Sequence, residues 1–165
     1  MIRKIVDRLL TTGGVGLTLI LLVVSGLTFW AYFYTNTTVH NQLASQAITL
    51  PSGQKVVDGA QAQAMANVIA KDLKVIGNGK TYAELASESL AHPNNTALAA
   101  QVQLVFRGTT LEGLLLNAYG WWRLGQIVLV GTIILWGMAL VSAVLTIFGF
   151  RQLKREQGSA DNEPA

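Results

Sequence analysis

Two long apolar stretches dominate the pattern of hydrophobic and polar residues along this chain. No charged residue lies between Leu9 and Tyr34, or between Leu124 and Phe150. Each stretch exceeds the roughly 20 apolar residues that a helix needs to cross the hydrocarbon core of a bilayer. Transmembrane helices are therefore predicted over residues 9–34 and 123–150.

The segment between these stretches, residues 35–122, has helical spacing. Apolar residues recur at steps of three and four over residues 59–76, with Asp58 in the N-cap position. Thr81 and Glu84 have the spacing of a capping box, in which hydroxyl and carboxylate satisfy each other's backbone N–H groups. Two helices are predicted to begin at these caps.

The rest of this segment contains a further predicted helix pair and a loop. Thr96 is predicted to cap a third helix that breaks at Gly108, and Thr109 with Glu112 repeats the capping-box spacing before a fourth. Residues 41–57 contain proline and glycine without useful periodicity, which predicts a loop. The predicted fold is an all-α membrane protein, with a hairpin of two transmembrane helices around a small helical extracytoplasmic domain.

Basic residues flank the two stretches on the sides away from the central segment. They are Arg3, Lys4 and Arg8 before the first stretch, and Arg151, Lys154 and Arg155 after the second. The positive-inside rule then predicts cytoplasmic termini, residues 1–8 and a disordered tail 151–165, in the plasma membrane. A cleaved signal peptide is the alternative for the first stretch, but its apolar core would be shorter and would end at small residues.

Aromatic residues cluster at the outer end of each stretch. They are Trp30, Tyr32 and Tyr34 at the first, and Tyr119, Trp121 and Trp122 at the second. Trp and Tyr are enriched where a membrane meets water, because their rings are apolar and their tips polar. These residues are predicted to anchor both helices at the outer interface.

Small side chains form a strip along each predicted transmembrane helix. The strips consist of Thr11, Gly14, Thr18 and Ser25, and of Thr132, Ala139, Ala143, Thr146 and Gly149. Small residues let two helices approach closely, and hydroxyl groups can hydrogen-bond between them. Two alternatives are open: the strips face each other within the hairpin, or one of them contacts a partner protein.

The composition agrees with a membrane protein and excludes several kinds of chemistry. The chain is 51% hydrophobic and 13% charged, against about 25% charged residues in a soluble domain. It has no cysteine and two histidines, which excludes disulfides and thiolate metal sites. The net charge of +3 arises from the basic flanks, so nucleic acid is not an expected partner.

Two motifs of the central segment resemble parts of enzyme sites. Gly79-Lys80-Thr81 matches the end of a phosphate-binding P-loop, but Lys74 stands where that pattern requires glycine. Glu84 and Glu88 share a helix face, as paired catalytic carboxylates do. Helix capping and a solvated helix face are the favoured interpretations, and no catalytic residue, metal site or cofactor is predicted.

Three segments resemble a family of small actinobacterial membrane proteins. They are Lys55–Gly59 (KVVDG), Gly79–Leu85 (GKTYAEL) and Arg107–Tyr119 (RGTTLEGLLLNAY). Proteins of this family often carry the label aromatic ring-opening dioxygenase, and the family has two membrane helices, an extracytoplasmic segment and no established activity. The resemblance implies an actinobacterial plasma membrane with respiratory or envelope complexes. Ring opening needs a metal, for which two histidines without cysteine offer too few ligands.

Two functions of different classes follow from these observations. The first is a non-enzymatic accessory or stabilising subunit of a larger respiratory or envelope complex, whose partners are the bilayer and other membrane proteins. The alternative is an extracytoplasmic module that binds or senses a small molecule, lipid or peptide, with Tyr82, Trp121 and Trp122 as contacts. Homo-oligomerisation is open in either case.

Overall fold

The computed structural model describes the backbone of residues 2–160 and the side chains of residues 12–152 and of Lys154. This part of the chain forms four helices: α1 (Ile2–Ser45), α2 (Gly59–Ile76), α3 (Tyr82–Ala91) and α4 (Thr96–Ala160). Within the same residues, extended pairing is limited to one antiparallel bridge between Thr49 and Lys55. The predicted all-α fold class is confirmed.

The chain divides into two compact units. The terminal unit combines Met1–Tyr32 with Ile127–Ala165, and the central unit is Phe33–Gln126. These divisions fall close to the ends of the two predicted transmembrane segments, at residues 34 and 123. The sequence segments that differ in hydropathy thus correspond approximately to these two units.

Two helices, α1 and α4, are long and apolar enough to cross a membrane. In the most apolar window of each, 6% and 11% of the residues are buried within the protein. The core helix of a soluble domain would bury most of that window, whereas a helix that is apolar all round without protein cover suits a bilayer. Leu19, Val23, Ile134 and Val141 illustrate this outward apolar surface, each more than half exposed.

Helix α1 continues beyond the predicted end of the first transmembrane segment. It ends at Ser45 rather than near Tyr34, so residues 41–45 are helical and the predicted loop is shorter. Val39 and Leu43, four residues apart, are both buried in the core of the central unit. Because residues at this spacing share one helix face, their burial stabilises the additional turns.

The two predicted caps are confirmed. Asp58 accepts a hydrogen bond from the backbone N–H of Gln61, whose side chain accepts from the N–H of Asp58 in return. Thr81 and Glu84 form the same reciprocal arrangement at the start of α3. Each cap satisfies backbone donors that a helix start leaves without intrahelical partners.

Helix α4 is continuous, which contradicts the predicted break at Gly108 and the predicted caps at Thr96 and Thr109. Asn95 caps the helix instead, because its side-chain oxygen accepts from the N–H of Leu98 at 3.0 Å. Gly108 lies inside α4, where the side chain of Leu73 occupies the space that a Cβ atom would take. This glycine therefore serves close packing and does not end the helix.

The predicted disordered tail also differs from the structure. Residues 151–160 continue α4 as helix, while 161–165 lie outside the described residues. Arg, Lys, Gln, Leu and Glu predominate after Phe150, and all five are good helix formers. Low hydropathy in this segment indicated exposure but not loss of helical structure.

The core of the central unit lies between α2, the end of α1 and the first half of α4. Its buried residues are Val39, Leu43, Val56, Ala62, Ala66, Ile69 and Leu115. Gly59 gives the side chain of Trp122 room to pack on α2, and Gln101 donates to the backbone oxygen of Ile76 at 2.5 Å. These contacts tie both ends of α2 to α4.

Candidate functional site

Within the terminal unit, α1 and α4 meet at three pairs of small residues, which we call the hydroxyl seam. The hydroxyl oxygens of Thr18 and Ser142 are 2.8 Å apart, as are those of Thr28 and Thr132. In the third pair, the hydroxyl of Thr146 fills the space where Gly14 lacks a side chain. The residue numbers of each pair add up to the same total, so the helices run antiparallel in one register.

The polar groups of the hydroxyl seam are satisfied within the protein. Ser25, which is fully buried, donates to the backbone oxygen of Leu22 at 3.0 Å, and Thr28 donates to that of Ser25 at the same distance. Among the described side chains, no buried nitrogen or oxygen atom lacks a hydrogen-bond partner. The seam therefore has the chemistry of helix association and leaves no buried polar group for a ligand.

The described members of the two predicted strips lie at or beside this seam. Ser25, Thr132 and Ala139 are buried, whereas Gly14, Thr18, Ala143, Thr146 and Gly149 are partly buried. The side chain of Thr11 lies outside the described residues. Sequence reasoning missed Thr28 and Ser142, although each lies three or four residues from a strip member. These contacts correspond to the alternative in which the two strips face each other.

The six predicted interfacial residues have unequal surroundings. Trp30, Tyr34 and Trp121 are more than half exposed, as rings that contact a membrane interface would be. Tyr32, Tyr119 and Trp122 are partly buried. Trp122 packs on Gly59 and stacks on Tyr119, with the ring centroids 6.2 Å apart, so it also belongs to the packing of the central unit.

A cavity of about 400 Å³ lies in the central unit, between the end of α1 and the middle of α4. We call it the α1–α4 groove. Its lining residues are Tyr34, Thr35, Thr38, Val39, Gln42 and Leu43 on α1, Gln46 in the turn after α1, and Leu114, Leu115, Asn117, Ala118 and Trp121 on α4. Val39, Leu43 and Leu115 belong both to the groove lining and to the core of the central unit.

The walls of the groove are uncharged and amphipathic. Val39, Leu43 and Leu115 are at most 5% exposed and form an apolar floor. Three side-chain amides, two threonine hydroxyl groups and two aromatic rings make up much of the remaining lining. An ion in this groove would lose water without gaining a countercharge, so the geometry suits a neutral molecule with polar and apolar parts.

The sequence pattern does not predict this groove, because the first helix is expected to end near Tyr34. Thr35, Thr38, Gln42 and Gln46 recur at steps of three and four, beside the apolar pair at residues 39 and 43. On a continuous helix this spacing places a polar stripe next to an apolar stripe. This polar spacing is present in the sequence, but it indicates a groove wall only if the helix continues past residue 41.

The residues that resembled enzyme motifs make local contacts at the start of α3. Lys80 forms an exposed ion pair with Glu88, with the nitrogen and oxygen 2.6 Å apart, and Thr81 caps α3. Hydrogen bonds from the backbone and hydroxyl groups of Thr81 lower the pKa of Glu84, aided by the charge of Lys80. Within the described residues, no three metal-binding side chains are grouped.

Tyr82, a predicted ligand contact, is absent from the groove lining. Its ring lies against Phe106, with the centroids 5.4 Å apart. Trp122 is also absent from the lining, which leaves Trp121 as the one predicted contact that borders the groove.

Comparisons with protein-family models, curated proteins and solved structures find no match to this chain. The resemblance to the actinobacterial family therefore stays a prediction.

Proposed function

We propose that this chain is a non-enzymatic integral membrane protein whose central unit binds a small uncharged molecule. In this proposal, α1 and α4 cross the plasma membrane as a hairpin, both termini are cytoplasmic and the central unit is extracytoplasmic. The observation that carries the binding function is the α1–α4 groove, an uncharged cavity with an apolar floor and polar walls.

The size and lining of the groove support binding. Its volume of about 400 Å³ falls within the ~300–1,000 Å³ that small-molecule sites occupy. Such sites combine apolar and aromatic side chains with a few polar groups that orient the ligand. Trp121 and Tyr34 supply the rings, and Gln42, Gln46 and Asn117 supply amide donors and acceptors.

The proposed topology is supported by the surface of the two long helices. Their apolar windows are almost entirely uncovered by the rest of the protein. Basic residues occur beyond the apolar stretches toward both termini, and exposed aromatic rings occur at their opposite ends. This combination is typical of membrane helices with cytoplasmic termini.

The absence of cysteine from the sequence permits a direct test with single-cysteine variants. Ala118→Cys places a thiol in the groove, and Gln103→Cys places one on an exposed part of α4 outside it. The full chain in phosphatidylcholine nanodiscs would be alkylated with a soluble maleimide, with and without a total extract of lipids and water-soluble metabolites from the source cells. We expect the extract to slow alkylation only at residue 118. Equal rates with and without the extract at residue 118 would contradict the proposal.

A second candidate function is that of an accessory subunit in a larger membrane complex. It is favoured by large apolar side chains that the central unit leaves exposed, among them Val75 and Leu90 at 77% and 83% exposure. A partner protein that covered these side chains would remove their apolar surface from water. Native electrophoresis after mild solubilisation tests it: a larger complex would support this function, and a free monomer without crosslinked partners would contradict it.

A further inference from the structure

We infer that the ligand of the α1–α4 groove is the neutral sugar head group of a glycolipid, whose acyl chains remain in the bilayer. This inference rests on the binding function and the topology proposed above. It is carried by the charge, hydrogen-bonding capacity, volume and chain position of the groove.

The hydrogen-bonding groups of the groove match a compound rich in hydroxyl groups. Thr38, Gln42, Gln46 and Asn117 border the cavity, and their side chains make no hydrogen bond with other described residues. An amide offers donors and an acceptor side by side, and each sugar hydroxyl is likewise both donor and acceptor. Phosphate or carboxylate head groups would instead require a cation, and no Lys or Arg lines the groove.

The volume of the groove limits how much of a lipid can enter. A cavity of about 400 Å³ holds roughly 13 water-sized groups at ~30 Å³ each. One sugar ring with its hydroxyl groups fits within this volume, whereas two acyl chains are far larger. The groove therefore has room for a sugar head group and requires the chains to lie elsewhere.

The position of the two aromatic residues indicates where the chains lie. Tyr34 is the last residue of the first predicted transmembrane segment, and Trp121 lies just before the second. Both are more than half exposed and border the groove. In the proposed topology this end of the groove is at the outer interface of the membrane, where an aromatic ring can cover the apolar face of a sugar. The far end of α1, at Ser45, lies by contrast about 17 Å farther along the helix, at 1.5 Å per residue, and Gln46 follows in the next turn.

The test compares four probes on the full chain in phosphatidylcholine nanodiscs. They are monoglucosyldiacylglycerol, diacylglycerol, phosphatidylglycerol and free methyl glucoside. Alkylation of Ala118→Cys is the readout, Leu114→Cys is a second groove reporter, and Gln103→Cys is the control. We expect the glucolipid alone to slow both groove reporters, about fivefold at a lipid concentration about four times its Kd.

A second variant links the effect to the groove side chains. Asn117→Leu removes an amide from the wall, and we expect it to abolish most of the protection by the glucolipid. Gln103→Leu, an equivalent change outside the groove, should leave the protection intact. Protection that survives Asn117→Leu unchanged would contradict recognition of the sugar by this wall.

The remaining outcomes separate this inference from the proposed function. Equal protection by diacylglycerol or phosphatidylglycerol would overturn the role of the sugar, and equal protection by methyl glucoside would overturn the lipid source. Protection by the total extract without protection by the glucolipid would overturn the inference while the binding function stands. If neither the four probes nor the extract protected the groove reporters, both the inference and the proposed binding function would be overturned.

Discussion

Thr132 and Thr28 are joined across two helices, with their hydroxyl oxygens 2.8 Å apart. Thr132 also lies 2.9 Å from the backbone oxygen of Val128, and it is 1% exposed. Val has nearly the shape of Thr, so Thr132→Val removes this polar contact without leaving a cavity. We expect a loss of about 0.5–1 kcal/mol in the free energy of unfolding, the usual range for hydrogen bonds between membrane helices.

Unfolding of this variant would be followed by denaturant titration in detergent micelles. Thr110→Val is the matched control, because the exposed Thr110 hydroxyl bonds only within its own helix, to Phe106. A loss of stability that is equal in both variants would show that the contact with Thr28 contributes nothing specific.

Gly108 and Gly113, both inside α4, are predicted to respond oppositely to alanine. Ala exceeds Gly in helix propensity by about 1 kcal/mol, and a Cβ at Gly113 meets nothing within 4 Å. A Cβ at Gly108 collides with Leu73, and overpacking of this kind costs about 1–3 kcal/mol. We expect Gly113→Ala to raise the thermal midpoint and Gly108→Ala to lower it. Stabilisation by both substitutions would contradict the close packing of α2 on α4.

The capping box of α3 predicts a dependence of stability on acid pH. The pKa of Glu84 is lowered below 4.5 in the folded protein, first by the backbone N–H of Thr81 and then by its hydroxyl. The unfolded chain therefore binds a proton at higher pH, and this contribution to stability is lost as pH falls from about 4.5 through the lowered pKa. Glu84→Gln should reduce the acid slope, measured by thermal unfolding from pH 6 to pH 3. An unchanged slope would contradict this role of Glu84.

The proposed topology is tested by labelling two exposed lysines from outside the cell. Lys71 lies in the central unit and Lys154 beyond the second apolar stretch. We expect an amine reagent that cannot cross membranes to modify Lys71 on intact cells, and Lys154 only after permeabilisation. Mass spectrometry of the digested protein identifies the sites. Modification of Lys154 alone on intact cells would reverse the topology.

Local signals in the sequence predicted much of the fold. Asp58 and Thr81 begin helices as expected, because a cap depends on residues within one turn of it. The continuation of the helix through Gly108 could not be predicted in this way. Leu73, whose side chain occupies the space beside this glycine, lies on another helix. The extension of α1 likewise depends on the burial of Val39 and Leu43 in a core that other helices complete.

The groove was predictable only in part. Its polar stripe is visible in the spacing of Thr38, Gln42 and Gln46 once α1 is known to continue. Asn117 and Trp121, which form the opposite wall, give no sign in the sequence that they face this stripe. That information depends on tertiary packing, in which residues distant in the chain become neighbours.

The single register of the hydroxyl seam restricts piston-like motion of one helix along the other. A shift by one turn in one direction would set Gly14 against Phe150 and Thr28 against Trp136, replacing small partners with the bulkiest ones. A shift in the other direction would set Thr18 against Met138 and Thr28 against Val128, which have no hydroxyl group to offer. Sliding thus forfeits either close contact or polar pairing, so movements that preserve the seam are rotations or tilts of both helices together.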